Sequence, residues 1–480
     1  MNSRLFTNFG GNQAFRPNSV FTPRNETELL EVLRSCRGRR IRTIGRLHSW
    51  SEAPVADDVL LDLRHFQDVR LERRDGRPWV TAGAGCQIKQ LLSVLSQQAA
   101  STLPSLGLIT EQTIAGAIST GTHGSGRPSM SHFMDEVRIA TYDPTTGEPV
   151  IRTIDGGDEL RAARCSLGAL GVIVSVGFWP RPRYFVEECF REYDDLEGVL
   201  AKEDEFPLQQ FYLMPWSWRF FAQHRRETTQ PRGGWATLYR LYFFLQFDVG
   251  LHLLVTLAAR TLRSPRLVRF LFREVAPRLL IQNWTVIDDS SKMLVMEHEL
   301  FRHIECEMFV PRSRLVEAID MVVQLLKYFD GDHEAIGDVT RDKLKSVGLL
   351  TQIEDRCGSY THHYPICIRR VLPDDTLLSM TSGAAESYYA LSFISYARPA
   401  ERQGFLAFAE VLCRALGALI GARPHWGKVC PLTAADAARL YPQLPQFRDV
   451  CRQIDPQGAF RNAWLDRTLF SETPAAVPPE

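Results

Sequence analysis

Between residues 44 and 173 the chain gathers small residues into three clusters, which restrict its fold more than any other feature of its 480 residues. The first is Ile44-Gly45-Arg46-Leu47-His48-Ser49, where a short apolar run ends in a glycine turn with a base, a histidine and a hydroxyl. The second, 114–126 (IAGAISTGTHGSG), is dominated by glycine, serine and threonine. The third, 166–173 (SLGALGVI), leads into another apolar run. Glycine lets backbone N–H groups approach an anionic oxygen closely. One such loop says little, since most glycine turns are only turns. Three in one segment argue for a large phosphate-bearing ligand. Neither G-x-G-x-x-G after a strand nor G-x-x-x-x-G-K-[ST] occurs, which disfavours a Rossmann or P-loop site. A dinucleotide, if bound, is held by another fold.

Around these clusters, short apolar runs predict strands at 40–44, 59–63, 79–82, 136–142 and 172–178. Helical periodicity marks 26–37 and 88–99, the latter through Ile88, Leu91, Leu92 and Leu95. Asp143 to Gly147 reads as a turn, and Pro180-Arg181-Pro182 as a stiff exit from a first domain. Beyond it, 305–310 and 390–396 read as strands, each followed by a helix, at 314–326 and 402–419. The tail from Ala475 is rich in Pro and Ala and reads as frayed. At roughly 100–200 residues per domain, two or three domains are expected. Fifty-six Lys plus Arg against 56 Asp plus Glu give no net charge, so nothing draws the whole chain to nucleic acid. Ten scattered cysteines without a C-x-x-C pair suit thiols in a reducing compartment.

Residues 241–259 form the longest apolar run, near the roughly 20 residues that span a bilayer. Asp248 sits in its middle, where a charge in hydrocarbon costs roughly 2.5–3.5 kcal/mol on insertion scales. Arg260, Arg263, Arg266, Arg269 and Arg273 follow. Three arrangements fit 241–273: buried helices under an arginine-coated face, a surface helix lying peripherally on anionic lipid, and a spanning helix. Met1 to Val20 is polar, without the apolar core of a signal peptide. The expected location is therefore cytoplasmic, with or without membrane association, and not secreted.

In order and spacing the clusters resemble the FAD-binding domain of the vanillyl-alcohol oxidase superfamily, in its sugar-1,4-lactone and alditol oxidase branch. Arg423-Pro424-His425-Trp426-Gly427-Lys428 is similar to that branch's R-P-H-W-[AG]-K, and 305–312 to its strand ending in V-P-R. Residues 441–447, 455–458 and 462–464 resemble its closing segment. The resemblance implies an α+β architecture. An FAD-binding domain of two subdomains spans 12–182. A mixed substrate (cap) domain follows at 183–430 with an apolar helical insertion at about 236–280, and 431–480 packs back on the first domain. It also implies that Ile44, Gly45, Arg46, Leu47, His48 and Ser49 hold FAD, together with Gly107, Thr113, Gly116, Thr120, Gly121, Thr122, His123, Gly171 and Ile173. In many members the histidine at position 48 carries the flavin covalently; the alternative is that His48 packs against a non-covalent flavin.

The departures from the pattern concern the substrate. Leu47 replaces the second glycine of the family's loop. Residues 364–369 (YPICIR) resemble the strand F-P-x-E-V-R, with Cys367 in place of the substrate-site glutamate. Leu108 stands where alditol oxidase has a serine. Arg369 and Lys428 match the cations expected at the reacting hydroxyl, and Leu108, Cys367, Arg369 and Lys428 would line the substrate site. Such a cation stabilises developing alkoxide charge while a hydride leaves for the flavin. Lys428 is expected to do this or to act as a base. His425 and Trp426 are expected to pack, and Cys367 to be an inert thiol. Gly107 matches a small residue that admits dioxygen. The remaining histidines, His298, His303, His362 and His363, show no metal-ligand spacing, so no metal is expected.

The function implied is an FAD-dependent oxidase of a sugar 1,4-lactone, with hydride transfer to flavin N5, dioxygen as acceptor and hydrogen peroxide as product. The alternatives are an alditol or polyol oxidase, a flavin dehydrogenase with another acceptor, and a non-catalytic flavoprotein.

Overall fold

The computed structural model describes residues 4–296, 301–398 and 401–471. His298, the tail from Ala475 and the side chain of Asp248 lie outside the described residues. Strands Ser19–Phe21, Val59–Asp62 and Ile41–Ile44 form a parallel sheet with Val59–Asp62 in the centre. That central strand is buried along its whole length, as a parallel strand covered on both faces must be. Helix Glu26–Ser35 makes the crossover, started by Asn25, whose side chain accepts from the Glu28 N–H. An antiparallel sheet follows in the order Pro149–Ile154, Glu136–Tyr142, Val172–Phe178, Arg77–Gly83 and Val69–Arg74. The turn at 143–147 joins its first two members through Asp143 Oδ1, which accepts from the N–H groups of Thr145 and Thr146. Helix Ile88–Ala99 covers this sheet with Ile88, Leu91, Leu92 and Leu95, all buried.

An eight-stranded antiparallel sheet builds the second half. Its order is Val286–Asp289, Phe185–Tyr193, Phe220–Thr228, Gln210–Leu213, Ile366–Val371, Tyr388–Ser395, Ile304–Pro311 and Arg423–Pro424. Period-two alternation gives the sheet two chemically different faces. Ile304, Cys306, Met308, Ile366, Ile368, Leu391 and Phe393 point to one face and pack under helices Leu315–Phe329 and Gln403–Ile420. The opposite face carries Glu305, Glu307, Cys367, Arg369, Gln210, Tyr212, Gln223, Arg225 and Glu188, all lining a cavity.

Between strands Phe220–Thr228 and Val286–Asp289 the chain forms the insertion, a helix over Ala236–Thr261 and a second over residues 265–279. Leu251, Val255, Ala258, Val268, Phe272 and Ala276 face inward and are buried. The outer face departs from the expected arginine coat. Exposed arginines (Arg263, Arg266, Arg273, Arg278) begin only after the first helix, whose outer side carries Leu238, Leu241, Leu245, Leu253 and Leu257. Ala236–Thr261 is long and apolar enough to cross a membrane, as is Gln403–Ile420, but the latter is a core helix of the second half.

The chain then returns. Helices Ala434–Leu440 and Leu444–Ile454 and residues 459–469 join the first core. The joint is polar: the buried guanidinium of Arg42 donates to the carbonyls of Ala53, Leu167 (2.8 Å) and Phe460 (2.6 Å). It thereby ties together the region after the first glycine loop, the third cluster and the C-terminal segment.

Candidate active site

A cavity of about 990 Å³ runs from the first glycine loop, across the polar face of the eight-stranded sheet, to the inner side of the insertion. Its first wall comprises Ile44 to Ser49, Thr113, Gly116, Thr120, Thr122, His123, Gly171 and Ile173. Close packing explains the glycine at 45: a Cβ there would stand 2.3 Å from Thr113 Oγ1. Thr113 itself starts helix Ile114–Ser119 by accepting from the Gly116 N–H at 3.3 Å. Leu47 adopts φ +56°, the left-handed region that favours glycine. The family glycine that it replaces is thus missing where the backbone would prefer it, and the Leu47 side chain packs beside Phe6, Phe15, Ile44 and Leu60. His48 stacks on Phe9 with ring centroids 5.0 Å apart.

Two expected cofactor residues stand behind this wall. Gly121 backs onto Met380, and Gly107 onto Thr122, where a Cβ would meet the threonine methyl at 2.5 Å. Neither lines the cavity. Packing on Thr122 alone requires a glycine at 107, and its neighbour Leu108 does line the cavity.

The charged centre follows from strand register. Glu307 pairs with Ser392, Ser392 with Cys367, and Cys367 with Tyr212, so these four share one cross-strand row. Arg369, two residues beyond Cys367, reaches back to donate to Glu307 Oε1 at 2.8 Å and to Ser392 Oγ at 3.2 Å. The edge strand Arg423–Pro424 pairs with Met308 and Phe309, and this sets the following loop against the same carboxylates. His425, Glu307 and His123 thereby place ligating atoms within 4.8 Å of one another. Arg369 already supplies a counter-charge to this cluster. Lys428 pairs with Glu305 and lies 4.4 Å from the ring centroid of Trp50. Trp426 is buried and donates to the Leu378 carbonyl at 2.6 Å.

Burial alone would lift both carboxyls. His123 and Arg369 instead hold Glu307 well below the ordinary carboxylate value, and Lys428 with His303 does the same for Glu305. Burial pushes His425 down to about 3, so its ring is neutral, and it pushes the Cys367 thiol up to about 11. Cys367 is accordingly no thiolate at neutral pH. Glu307 Oε2 and Arg369 Nε, by contrast, are buried in the cavity wall with no partner. They are an acceptor and a donor on two side chains already joined through Glu307 Oε1, the two kinds of partner a hydroxyl group satisfies.

Farther along the sheet, the polar side chains satisfy one another. Gln210 Nε2 donates to Tyr212 Oη at 2.7 Å and to Gln223 Oε1 at 2.5 Å. Glu188 accepts from Arg225 Nε and from Tyr239 Oη, each at 2.5 Å. Beyond them the wall is mainly apolar, with Phe190, Phe243, Phe247, Leu251, Leu279 and Leu280, and the insertion adds Thr237, Arg240, Gln246 and His252 as its polar members. Sequence reasoning found both cations but missed Glu305 and Glu307 as their partners. The signal was there in I-E-C-E-M-F-V, two acids on one face of a strand whose other face is apolar.

The cradle fits FAD. Gly45 leaves it open where any side chain would strike Thr113, Arg42 and Arg46 line it with the hydroxyls of Thr113 and Thr120, and the volume is at the top of the roughly 300–1,000 Å³ typical of small-molecule sites. Comparison with known proteins agrees. An FAD binding domain family model matches residues 17–146, and a D-arabinono-1,4-lactone oxidase family model matches residues 186–468. A "Long-chain alcohol oxidase" from an uncultured marine euryarchaeote is 52% identical over 465 residues, 97% of each chain. An "L-gulono-1,4-lactone dehydrogenase" from Mycobacterium tuberculosis is 28% identical, covering 97% of this chain and 99% of its own. Among solved structures, a "Solvent-stable cholesterol oxidase" superposes with a TM-score of 0.72 at 16% identity over 97% of both chains, a likeness of fold.

Proposed function

The chain belongs to the D-arabinono-1,4-lactone oxidase family and is an FAD-dependent oxidoreductase acting on CH–OH groups, and within that family we propose that it oxidises primary alcohols bearing a long alkyl chain. The product is the aldehyde, with dioxygen as acceptor and hydrogen peroxide released. The observation that carries this reading is the far arm of the cavity. Its last wall is mainly aromatic and aliphatic, and the polar groups of the sheet on the way there are already paired with one another. A sugar ring in that arm would leave several hydroxyls without partners, at about 1–3 kcal/mol each. An alkyl chain gains about 0.8 kcal/mol per buried methylene. The name borne by the relative at 52% identity supports the same substrate class.

FAD supplies two-electron chemistry when bound, taking a hydride equivalent from the CH–OH carbon and returning the electrons to dioxygen. The cradle residues 44–49, Thr113, Gly116, Thr120 and Gly171 would hold it. Arg369 Nε donates to the substrate oxygen and stabilises the charge that develops there in a dry site. Glu307 Oε2 accepts the hydroxyl hydrogen and then the proton. Its carboxylate is a weak base, but the oxygen it relieves is becoming a carbonyl oxygen, whose protonated form is a much stronger acid. Lys428 and Glu305 keep the neighbouring wall charged and ordered, which favours a positioning role for Lys428 over that of a base.

The sugar 1,4-lactone reading remains the second, favoured by the family match over 186–468 and by the lactone dehydrogenase relative. The experiment that separates them is anaerobic flavin reduction across 1-alkanols, alditols and aldonolactones, followed by admission of air. Bleaching by long alkanols and rapid return of colour support the proposal. Bleaching by lactones alone overturns it, and slow reoxidation overturns dioxygen as acceptor. A long-chain alcohol resides in lipid rather than in water, so this reading also has the enzyme work at a membrane surface.

A further inference from the structure

We infer that the outer face of the insertion docks on an anionic lipid bilayer and that the alkyl chain enters the cavity from there. This rests on the alcohol reading for the cargo but on separate observations for the surface. Nine of the thirteen large apolar side chains exposed among the described residues lie between 235 and 281. Trp235 is 67% exposed, Leu245 55%, Leu253 54% and Phe270 54%. Along Ala236–Thr261, Leu238, Leu241, Leu245, Leu253 and Leu257 fall on one side of the helix, while Tyr239, Leu251, Val255 and Ala258 are buried on the other. The helix is apolar on both sides, a pattern that water does not favour on a surface.

Charge identifies the occupant. Residues 260–278 hold six arginines against one acid, Glu274. Arg260, Arg266 and Arg273 make no ion pair among the described residues, whereas Arg263, Arg269 and Arg278 pair with Glu401, Asp330 and Glu274. A second copy of this chain would present the same arginines and be repelled. Anionic headgroups are complementary to them, and the adjoining leucines reach the acyl region, the arrangement of an interfacial helix pair. Continuity with the cavity adds direction: Phe243, Phe247, Leu279 and Leu280 of the same insertion line its far arm. A chain leaving the bilayer under these helices therefore reaches Arg369 and Glu307 tail last, hydroxyl first.

The test uses the full-length holoenzyme, sedimented with phosphatidylcholine vesicles with and without phosphatidylglycerol. The expected result is binding that needs the anionic lipid and weakens with salt. Arg266→Ala with Arg273→Ala should lower vesicle affinity by about thirtyfold, since each basic residue near such a surface contributes about 1 kcal/mol. Leu245→Asp with Leu253→Asp should abolish partitioning. These four side chains lie outside the cavity wall, so both variants should oxidise a short, water-soluble alkanol as the wild type does. Both should turn over vesicle-borne long alkanols more slowly. Holoenzyme that stays in the supernatant, variants that bind like wild type, or a dimer in light scattering that the Leu→Asp pair dissociates would each overturn the docking surface. Vesicle binding without bleaching by any alkanol would leave the surface standing and reject the alcohol reading instead.

Discussion

Arg369 donates to Glu307 at 2.8 Å although a whole strand, Tyr388–Ser395, lies between theirs. Neighbouring strands stand about 4.8 Å apart, so the guanidinium reaches across two spacings, and the intervening strand contributes Ser392, whose hydroxyl donates to the same carboxylate at 2.7 Å. The position that Cys367 occupies without a carboxylate thus sits in the row of one that Glu307 supplies.

Glu307→Gln keeps the shape of that carboxylate and removes its charge. The variant should retain FAD, while the rate of flavin reduction by substrate falls by about 10²–10³-fold, the usual effect of losing a proton acceptor or a charge-stabilising partner. Stopped-flow absorbance checks it; an unchanged rate would remove Glu307 from the chemistry.

The acid limb of the pH profile tests Lys428. Burial raises the Glu305 carboxyl and Lys428 lowers it, the lysine winning in the wild type. Because Glu305 and Glu307 are both held below the ordinary carboxylate value, their charged forms contribute stability above the unfolded value of about 4.3. That contribution is lost only as pH falls through the lower folded values. Wild-type flavin reduction should stay level down to the ordinary carboxylate range. In Lys428→Met only His303 still opposes burial, so an acid limb should appear at higher pH. Stopped-flow rates against pH read this directly, and identical limbs would show that Lys428 does not hold Glu305.

Cys367→Glu restores the family's carboxylate next to Arg369. It should raise reduction by alditols and lactones and lower that by long alkanols at least tenfold, because a buried carboxylate meets the chain's first methylenes. In the native protein, burial that pushes the thiol up to about 11 should leave Cys367 unmodified by iodoacetamide at neutral pH, read by peptide mass spectrometry.

Much of this was legible before any coordinates. The strands over Glu136–Tyr142 and Val172–Phe178 follow from short apolar runs, the second buried along its whole length, and the helix Ile88–Ala99 from period 3.6, since it buries one continuous face. The glycine clusters and the HWGK loop carried the cofactor and the family, because a close backbone approach needs particular residues in a particular order. The carboxylates of Glu305 and Glu307 were passed over because their meaning depends on pairing: only the register of three strands brings Arg369 to Glu307. The packing that requires Gly107 was hidden for the same reason, since the side chain behind it belongs to Thr122, fifteen positions away in the chain.

His48 tests the mode of flavin attachment. The resemblance makes it the point of linkage, and its ring lines the cradle, stacked on Phe9. The expected outcome is that acid-precipitated wild-type protein keeps its yellow colour in the pellet while His48→Ala releases it. A wild-type pellet without colour would mean the ring only packs against the flavin.

The central claim is that the far arm of the cavity receives an alkyl chain, and the anaerobic second-order rate of flavin reduction across 1-alkanols of increasing length tests it most directly. At about 0.8 kcal/mol per buried methylene the rate constant should rise about fourfold with each added carbon until the arm is filled, and then level off. A rate independent of chain length, or a sugar lactone that outruns every alkanol, would contradict it.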